Sequence, residues 1–241
     1  MIPNPLKPIT ITIVDDHKLV RTGLARMIDD EIDMRIIAEA STGEEAISCC
    51  ENEMPDIVLM DARMPGIGGI EATLRLSKTY PQLRVIAMSS VTSGVIPSQM
   101  LRSGAKAFIT KNIGVEEMLK SIRVVNAGQH YVTADAAIRL ALDPFNQSQD
   151  SLFDKLSRRE LQIAQMLTDS KKVSQISEFL QLSPKTVYSY RYRIFEKLGI
   201  HSDVELTILA VKYGLSDDLN DFGDSVPIVE QLSVEPECCI R

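Results

Sequence analysis

The chain of 241 residues has no apolar run longer than a few residues, so nothing in it reads as a membrane-spanning helix. Its start, Met1-Ile2-Pro3-Asn4-Pro5, lacks the basic residue and apolar core of a secretory signal. The four cysteines fall as two adjacent pairs, Cys49-Cys50 and Cys238-Cys239. Neighbours pair poorly with each other, and neither pair has the spacing of a zinc site, so free thiols in a cytoplasmic protein are expected. The closing Cys238-Cys239-Ile240-Arg241 resembles a prenylation box only loosely, because Arg is not one of its usual last residues. There is no internal repeat and no excess of positive charge, the formal net charge being −7.

That average hides a division. Residues 1–140 carry −2, residues 154–213 carry +3, and residues 214–241 carry −6. One basic segment in an acidic chain points to a polyanionic partner.

The first part alternates apolar runs with helical patterns. Strand-like runs lie at 9–14, 34–39, 57–60, 83–88 and 105–109. Helical patterns lie between and after them, at about 19–28, 43–53, 67–79, 95–103 and 114–126. Such alternation predicts a five-stranded parallel sheet with helices on both faces, a doubly wound, flavodoxin-like α/β domain. In a parallel sheet all carboxyl ends share one edge. That edge collects Asp15-Asp16 after the first strand, Asp61 after the third, Ser89 after the fourth and Lys111 after the fifth. The stretch after Asp61, Ala62-Arg63-Met64-Pro65-Gly66-Ile67-Gly68-Gly69, is crowded with turn residues.

Three carboxylates brought together repel unless a cation joins them. Oxygen ligands suit a hard divalent ion, and Mg²⁺ also binds phosphate oxygens. An Asp carboxylate can itself be the nucleophile and form an acyl phosphate. Lys111 would then neutralise one phosphate oxygen and the Ser89 hydroxyl would bond another. The added charge of roughly −1.5 to −2 gives the basis of a switch.

These residues carry a resemblance. Val14-Asp15-Asp16-His17, Asp61-Ala62-Arg63-Met64-Pro65-Gly66, Ser89, Gly104-Ala105 and Lys111 resemble the receiver domain of bacterial two-component response regulators, over about residues 8–127. The resemblance implies that Asp61 accepts phosphate from a sensor histidine kinase. It implies Mg²⁺ held by Asp16, Asp61 and the Arg63 backbone carbonyl, with Asp15 assisting. It implies Ser89 and Phe108 as the switch pair, the ring turning inward when the hydroxyl moves to the phosphate. Receivers often have Pro after the lysine, and here it is Asn112.

Residues 128–153 read as a linker with a short helix at 133–142. Residues 154–214 are purely helical in pattern. Ser157 and Glu160 have capping-box spacing, Ser183-Pro184 starts a helix that Gly199 ends, and a last helix stops at Gly214. Helices at 173–180 and 184–198 have the spacing of a helix-turn-helix. On the second of them Val187, Tyr190, Ile194 and Leu198 share an apolar face. Lys185, Thr186, Tyr188, Ser189, Arg191, Tyr192 and Arg193 lie around the rest, a set suited to phosphates and groove edges of double-stranded DNA.

This second part resembles the DNA-binding domain of the LuxR/FixJ/NarL family through Leu156-Ser157-Arg158-Arg159-Glu160, Ser183-Pro184-Lys185-Thr186-Val187 and Glu196-Lys197-Leu198-Gly199. The family implies that helix 184–198 enters the major groove and that the last helix makes a homodimer, here through Val204, Ile208 and Val211. Within the family, residues 188–198 and 202–207 look closest to the GacA/UvrY branch, whose members activate small regulatory RNAs. Lys171-Lys172-Val173 departs from the family pattern by adding positive charge. Residues 215–241 form an acidic tail of little periodicity, expected to be mobile.

The reading is a phosphorylation-switched transcription factor rather than a turnover enzyme. An aspartyl-phosphate phosphatase is the rival, but it needs a second acid two residues past the nucleophile, where this chain has Arg63. A regulator that binds DNA without phosphorylation is the other alternative.

Overall fold

The structure is a computed structural model that describes residues 7–90, 95–142, 152–213 and 215. The expected mobile tail beyond residue 215, the Gly214 stop and residues 143–151 of the expected linker lie outside the described residues.

The strands are β1 (Ile9–Val14), β2 (Met34–Ala40), β3 (Ile57–Asp61), β4 (Arg84–Ser89), β5 (Ala107–Thr110) and β6 (Tyr131–Val132), in the order β2-β1-β3-β4-β5-β6, with every pair parallel. The helices between them are α1 (Lys18–Asp29), α2 (Gly43–Asn52), α3 (Gly68–Thr79), α4 (Val95–Arg102) and α5 (Val115–Asn126), and α6 (Ala134–Leu142) follows β6. The sheet therefore has six strands where the sequence pattern indicates five. The extra strand falls in the segment read as linker. Two residues cannot show an alternating pattern, and both are only half-buried. What makes them a strand is long-range: Tyr131 N donates to Lys106 O and Thr133 N to Phe108 O, each at 3.2 Å.

Strands covered on both faces are apolar almost throughout, which is why β3 reads as one unbroken run. Its alternate residues feed two cores. Ile57 and Leu59 join Ile11, Ile13, Ile86 and Ile109 under α1 and α5. Val58 and Met60 join Val85, Ala87 and Phe108 under α2, α3 and α4, and this cluster continues into the helical domain. At the far edge of the sheet Asp56 accepts from the Thr10 amide at 2.9 Å and its hydroxyl at 2.7 Å, pinning β1 to the start of β3.

The helical domain begins with a 3-10 turn at Leu152–Lys155, then α7 (Arg158–Thr168), α8 (Val173–Phe179), α9 (Pro184–Leu198) and α10 (Asp203–Lys212). The expected caps form: Ser157 and Glu160 close a capping box on α7, and Ser183 accepts from the Thr186 amide. Ser202 adds a cap on α10, accepting from the Glu205 amide. Gly199 ends α9 at φ 68°, a backbone that only glycine adopts without strain. The buried Glu160 carboxylate also receives Lys197 at 2.6 Å, clamping the start of α7 to the end of α9.

Gly69, in the first turn of α3, lies against the backbone carbonyl of Asp61, with no room for a Cβ. Gly69→Ala should therefore push α3 off the sheet edge and cost about 1–3 kcal/mol. For a chain of this size that is a fall of several degrees in Tm. A thermal melt unchanged from wild type would show that the edge yields without cost.

Candidate phosphoryl-receiving site and nucleic-acid interface

The carboxyl edge of the sheet assembles the site. Asp15 follows β1, Asp61 ends β3, Ser89 ends β4 and Lys111 follows β5. Register holds them level: Asp61 sits opposite Met88, and Ser89 opposite Thr110. One ligand atom from each of Asp15, Asp16, His17 and Asp61 lies within 4.8 Å of the others. Lys111 Nζ lies 2.6 Å from Asp15 Oδ2 and 2.9 Å from Asp61 Oδ2, bridging two buried carboxylates.

Each remaining oxygen has a definite environment. Asp15 Oδ1 accepts from the His17 amide at 2.8 Å, and Asp61 Oδ1 accepts from the Arg63 amide at 3.2 Å. Asp16 Oδ1 is buried and accepts no hydrogen bond, although His17 Nδ1 stands 2.9 Å away. Burial pushes the Asp61 carboxyl up, and Asp15 adds to this, while Lys111 and the Arg63 amide pull the other way; the result is about 6. Burial alone would lower Lys111, but Asp61 and Asp15 more than offset it, so its pKa is raised.

The structure brings Asp15, Asp16, Asp61, Ser89 and Lys111 to one edge, as the strand ends predict. Ser89 and Phe108 are both buried, Phe108 completely, and Phe108 lies opposite Ala87 on β5. His17 enters the sequence reading only as part of the Val14-Asp15-Asp16-His17 motif. It is the N-terminal cap of α1, yet its side chain makes no cap hydrogen bond and borders Asp15 and Asp16 instead.

The second domain adds a wall to this site. A cleft of about 390 Å³ lies between the domains, lined by Asp16, Asp61 and Lys111 on one side and by Arg158, Gln162 and Lys171 on the other. Sequence reasoning missed this wall. Arg159 Nη1 donates to Gly66 O at 2.5 Å, and Gln162 Nε2 donates to Met64 O at 3.1 Å and Gly66 O at 3.3 Å. The carbonyls of the loop after Asp61 thus hold α7.

On the reading helix α9, Val187, Ile194 and Leu198 are buried and Tyr190 half-buried, as the periodicity predicts. Lys185, Tyr188, Ser189, Tyr192 and Arg193 are exposed, Tyr192 by 71%. Thr186 shares the N-terminal cap with Ser183. Arg191 differs from the rest. Its guanidinium makes two bonds to Asp203, at 2.8 and 2.7 Å, and stacks over Phe195 at 4.8 Å. It braces α9 to α10, a role that periodicity does not reveal. On α10, Val204 and Ile208 are 68% and 61% exposed, Val211 is half-buried, and Leu206 and Ala210 are buried.

An acidic edge bridged by lysine on a parallel sheet, joined to a basic helix-turn-helix, defines the class: a signalling receiver coupled to a DNA-binding output. Residues 11–123 match the response regulator receiver domain, and residues 154–210 match the luxR family of bacterial regulatory proteins. The chain belongs to the response regulators with a LuxR-type DNA-binding domain. It is 47% identical to response regulator GacA of Pseudomonas protegens over 209 residues, covering 87% of this chain and 98% of that one. It is 44% identical to response regulator UvrY of Escherichia coli over 208 residues, covering 86% and 95%. The solved RcsB response regulator of Salmonella typhimurium superposes with a TM-score of 0.66 at 18% identity, over 87% of this chain and 100% of that one, and so shares the fold.

Because Asp61 holds its proton more readily when folded than when unfolded, its ionisation lowers stability as pH rises from the ordinary carboxylate range through about 6. Asp61→Asn cannot ionise. In cation-free buffer it should be more stable than wild type at pH 8, on the order of 2 kcal/mol, and show much less advantage at about pH 4. Melts showing one constant difference at both pH values would contradict the burial account.

Proposed function

We propose that Asp61 is the phosphoacceptor of a response regulator transcription factor. The observation that carries this is the Lys111 ammonium seated between Asp15 and Asp61 on the sheet edge. It sits where a phosphoryl oxygen on Asp61 would need a counter-charge.

The donor set fits Mg²⁺. Asp15, Asp16 and Asp61 offer hard oxygens within one ion's reach, and the buried Asp16 Oδ1 lacks a hydrogen bond that an ion would replace. Asp16, Asp61 and the Arg63 backbone carbonyl would hold it, with Asp15 assisting. When bound, the ion supplies charge neutralisation for the oxygens of the transferring phosphoryl group.

The chain's own residues do the rest. The Arg63 amide holds Asp61 Oδ1, and the attacking oxygen is Oδ2, which Lys111 pairs at 2.9 Å before transfer. That oxygen attacks phosphorus on a phosphohistidine of a sensor kinase. The P–N bond breaks, the imidazole keeps the electron pair and takes up a proton, and an acyl phosphate forms on Asp61. Lys111 moves from pairing two carboxylates to pairing carboxylate and phosphoryl. The Ser89 hydroxyl donates to a phosphoryl oxygen, and Phe108 follows it. Arg63 stands where a phosphatase would need its general acid, which supports an acceptor rather than a turnover enzyme.

The output is sequence-specific DNA binding by a cytoplasmic homodimer. Lys185, Thr186, Tyr188, Ser189, Tyr192 and Arg193 supply the DNA contacts. Exposed Val204 and Ile208, with Val211, supply the dimer face. Arg191 acts by fixing α9 on α10. The likeness to GacA and UvrY supports promoters of small regulatory RNAs as targets.

Incubation with a small acyl phosphate and Mg²⁺ should add the mass of one phosphoryl group, and none to Asp61→Asn. An equal gain in that variant would overturn the assignment. For the output, Arg193→Ala should weaken binding about equally on all DNA sequences and reduce the salt slope of log K by about one per subunit, about two for the dimer. Lost discrimination between sequences at an unchanged slope would make Arg193 a base reader instead.

A further inference from the structure

The contact between the domains falls on the phosphate-receiving edge, and not on the DNA-reading face. α7 is held by the carbonyls of Met64 and Gly66, within five residues of Asp61. Arg158 adds a longer contact to Glu71 on α3, at 3.4 Å. With these bonds made, the reading residues Lys185, Tyr188, Tyr192 and Arg193 stay exposed. The contact therefore acts on the input of the switch.

The geometry of that input is restrictive. Asp61 is only 3% exposed. Its side of the sheet edge opens into the cleft of about 390 Å³, whose opposite wall is α7 and the turn after it. A space of that size is typical of small-molecule sites. An α-helix with its side chains is about 10–12 Å across. A histidine carried on a protein helix cannot bring its phosphorus to Asp61 while that wall is in place, whereas a free small donor can.

From this we infer that Gln162, through its two bonds to the loop carbonyls, makes the resting protein selective for the size of its phosphodonor. It admits small donors and keeps protein phosphohistidine out until α7 lifts. Transfer from a protein donor is then scaled by the fraction of open molecules, and transfer from a small donor is not. Either donor loses its phosphoryl group to Asp61 in the same way, the P–N bond breaking with its electrons kept by nitrogen. The inference rests on Asp61 being the acceptor.

Phosphoramidate and a phosphorylated sensor-kinase histidine domain carry the same P–N bond and differ chiefly in size. The test uses the full chain with Mg²⁺ and follows labelling of Asp61 by both donors. The kinase domain is one chosen because it labels the wild type. Gln162→Glu keeps the shape and the acceptor for Arg159 Nη1 but cannot donate to Met64 O or Gly66 O, and Gln162→Ala removes the bonds of this side chain to the loop and to Arg159. Arg159 is left intact because it also holds Leu180 O inside the helical domain, at 2.9 Å. Losing two hydrogen bonds corresponds to about tenfold in the opening equilibrium. Both variants should accept phosphoryl from the kinase domain about tenfold faster and from phosphoramidate within about twofold of wild type. Unchanged melts would exclude misfolding. Equal acceleration with both donors, or none with either, would overturn the inference. Absence of label at Asp61 from phosphoramidate, with the kinase's label on another residue, would instead overturn the acceptor assignment beneath it.

Discussion

One ammonium group holds the receiver's working edge together. Lys111 lies within 3 Å of the Asp15 and Asp61 carboxylates, and of these Asp61 is pushed by burial toward its protonated form. The lysine therefore does more than balance charge. It ties the ends of β1 and β3 to the turn after β5. The strand order serves this, because β1, β3 and β5 end level on one edge and deliver one member each.

The loop after Asp61 has two duties. Its amides bond to the receiver: the Arg63 N–H donates to Asp61 Oδ1, and the Ile67 N–H donates to Glu44 Oε1. Its carbonyls face the other way and hold α7. A backbone that must satisfy both sets of polar groups in a half-buried turn has few alternative shapes. Asp61 and the contacts to α7 are thus separated by a single short loop.

Within that domain the side chains divide by neighbourhood rather than by type. Arg191 and Arg193 are two positions apart on one helix. Asp203 and Phe195 take the first, and the second lies exposed beside the Tyr190 ring. Charge alone does not distinguish a DNA contact from a brace.

Much of this was legible in the chain. Unbroken β-branched runs followed by acids mark buried parallel strands with a functional edge. Asp15, Asp16, Asp61, Ser89 and Lys111 could be assembled from that order alone, because a parallel sheet puts every carboxyl end on the same side. Caps at Ser157 and Ser183, and the Gly199 stop, were equally local, since each depends on residues within one helical turn. Three things were decided only in space. Tyr131–Val132 became a strand because β5 offered it partners. Arg191 became a brace because α10 begins beside it. The cleft over Asp61 exists because Gln162 and Arg159 meet carbonyls more than 90 residues away. A backbone carbonyl is the same in every residue, so no sequence pattern marks the one that will serve as a docking site.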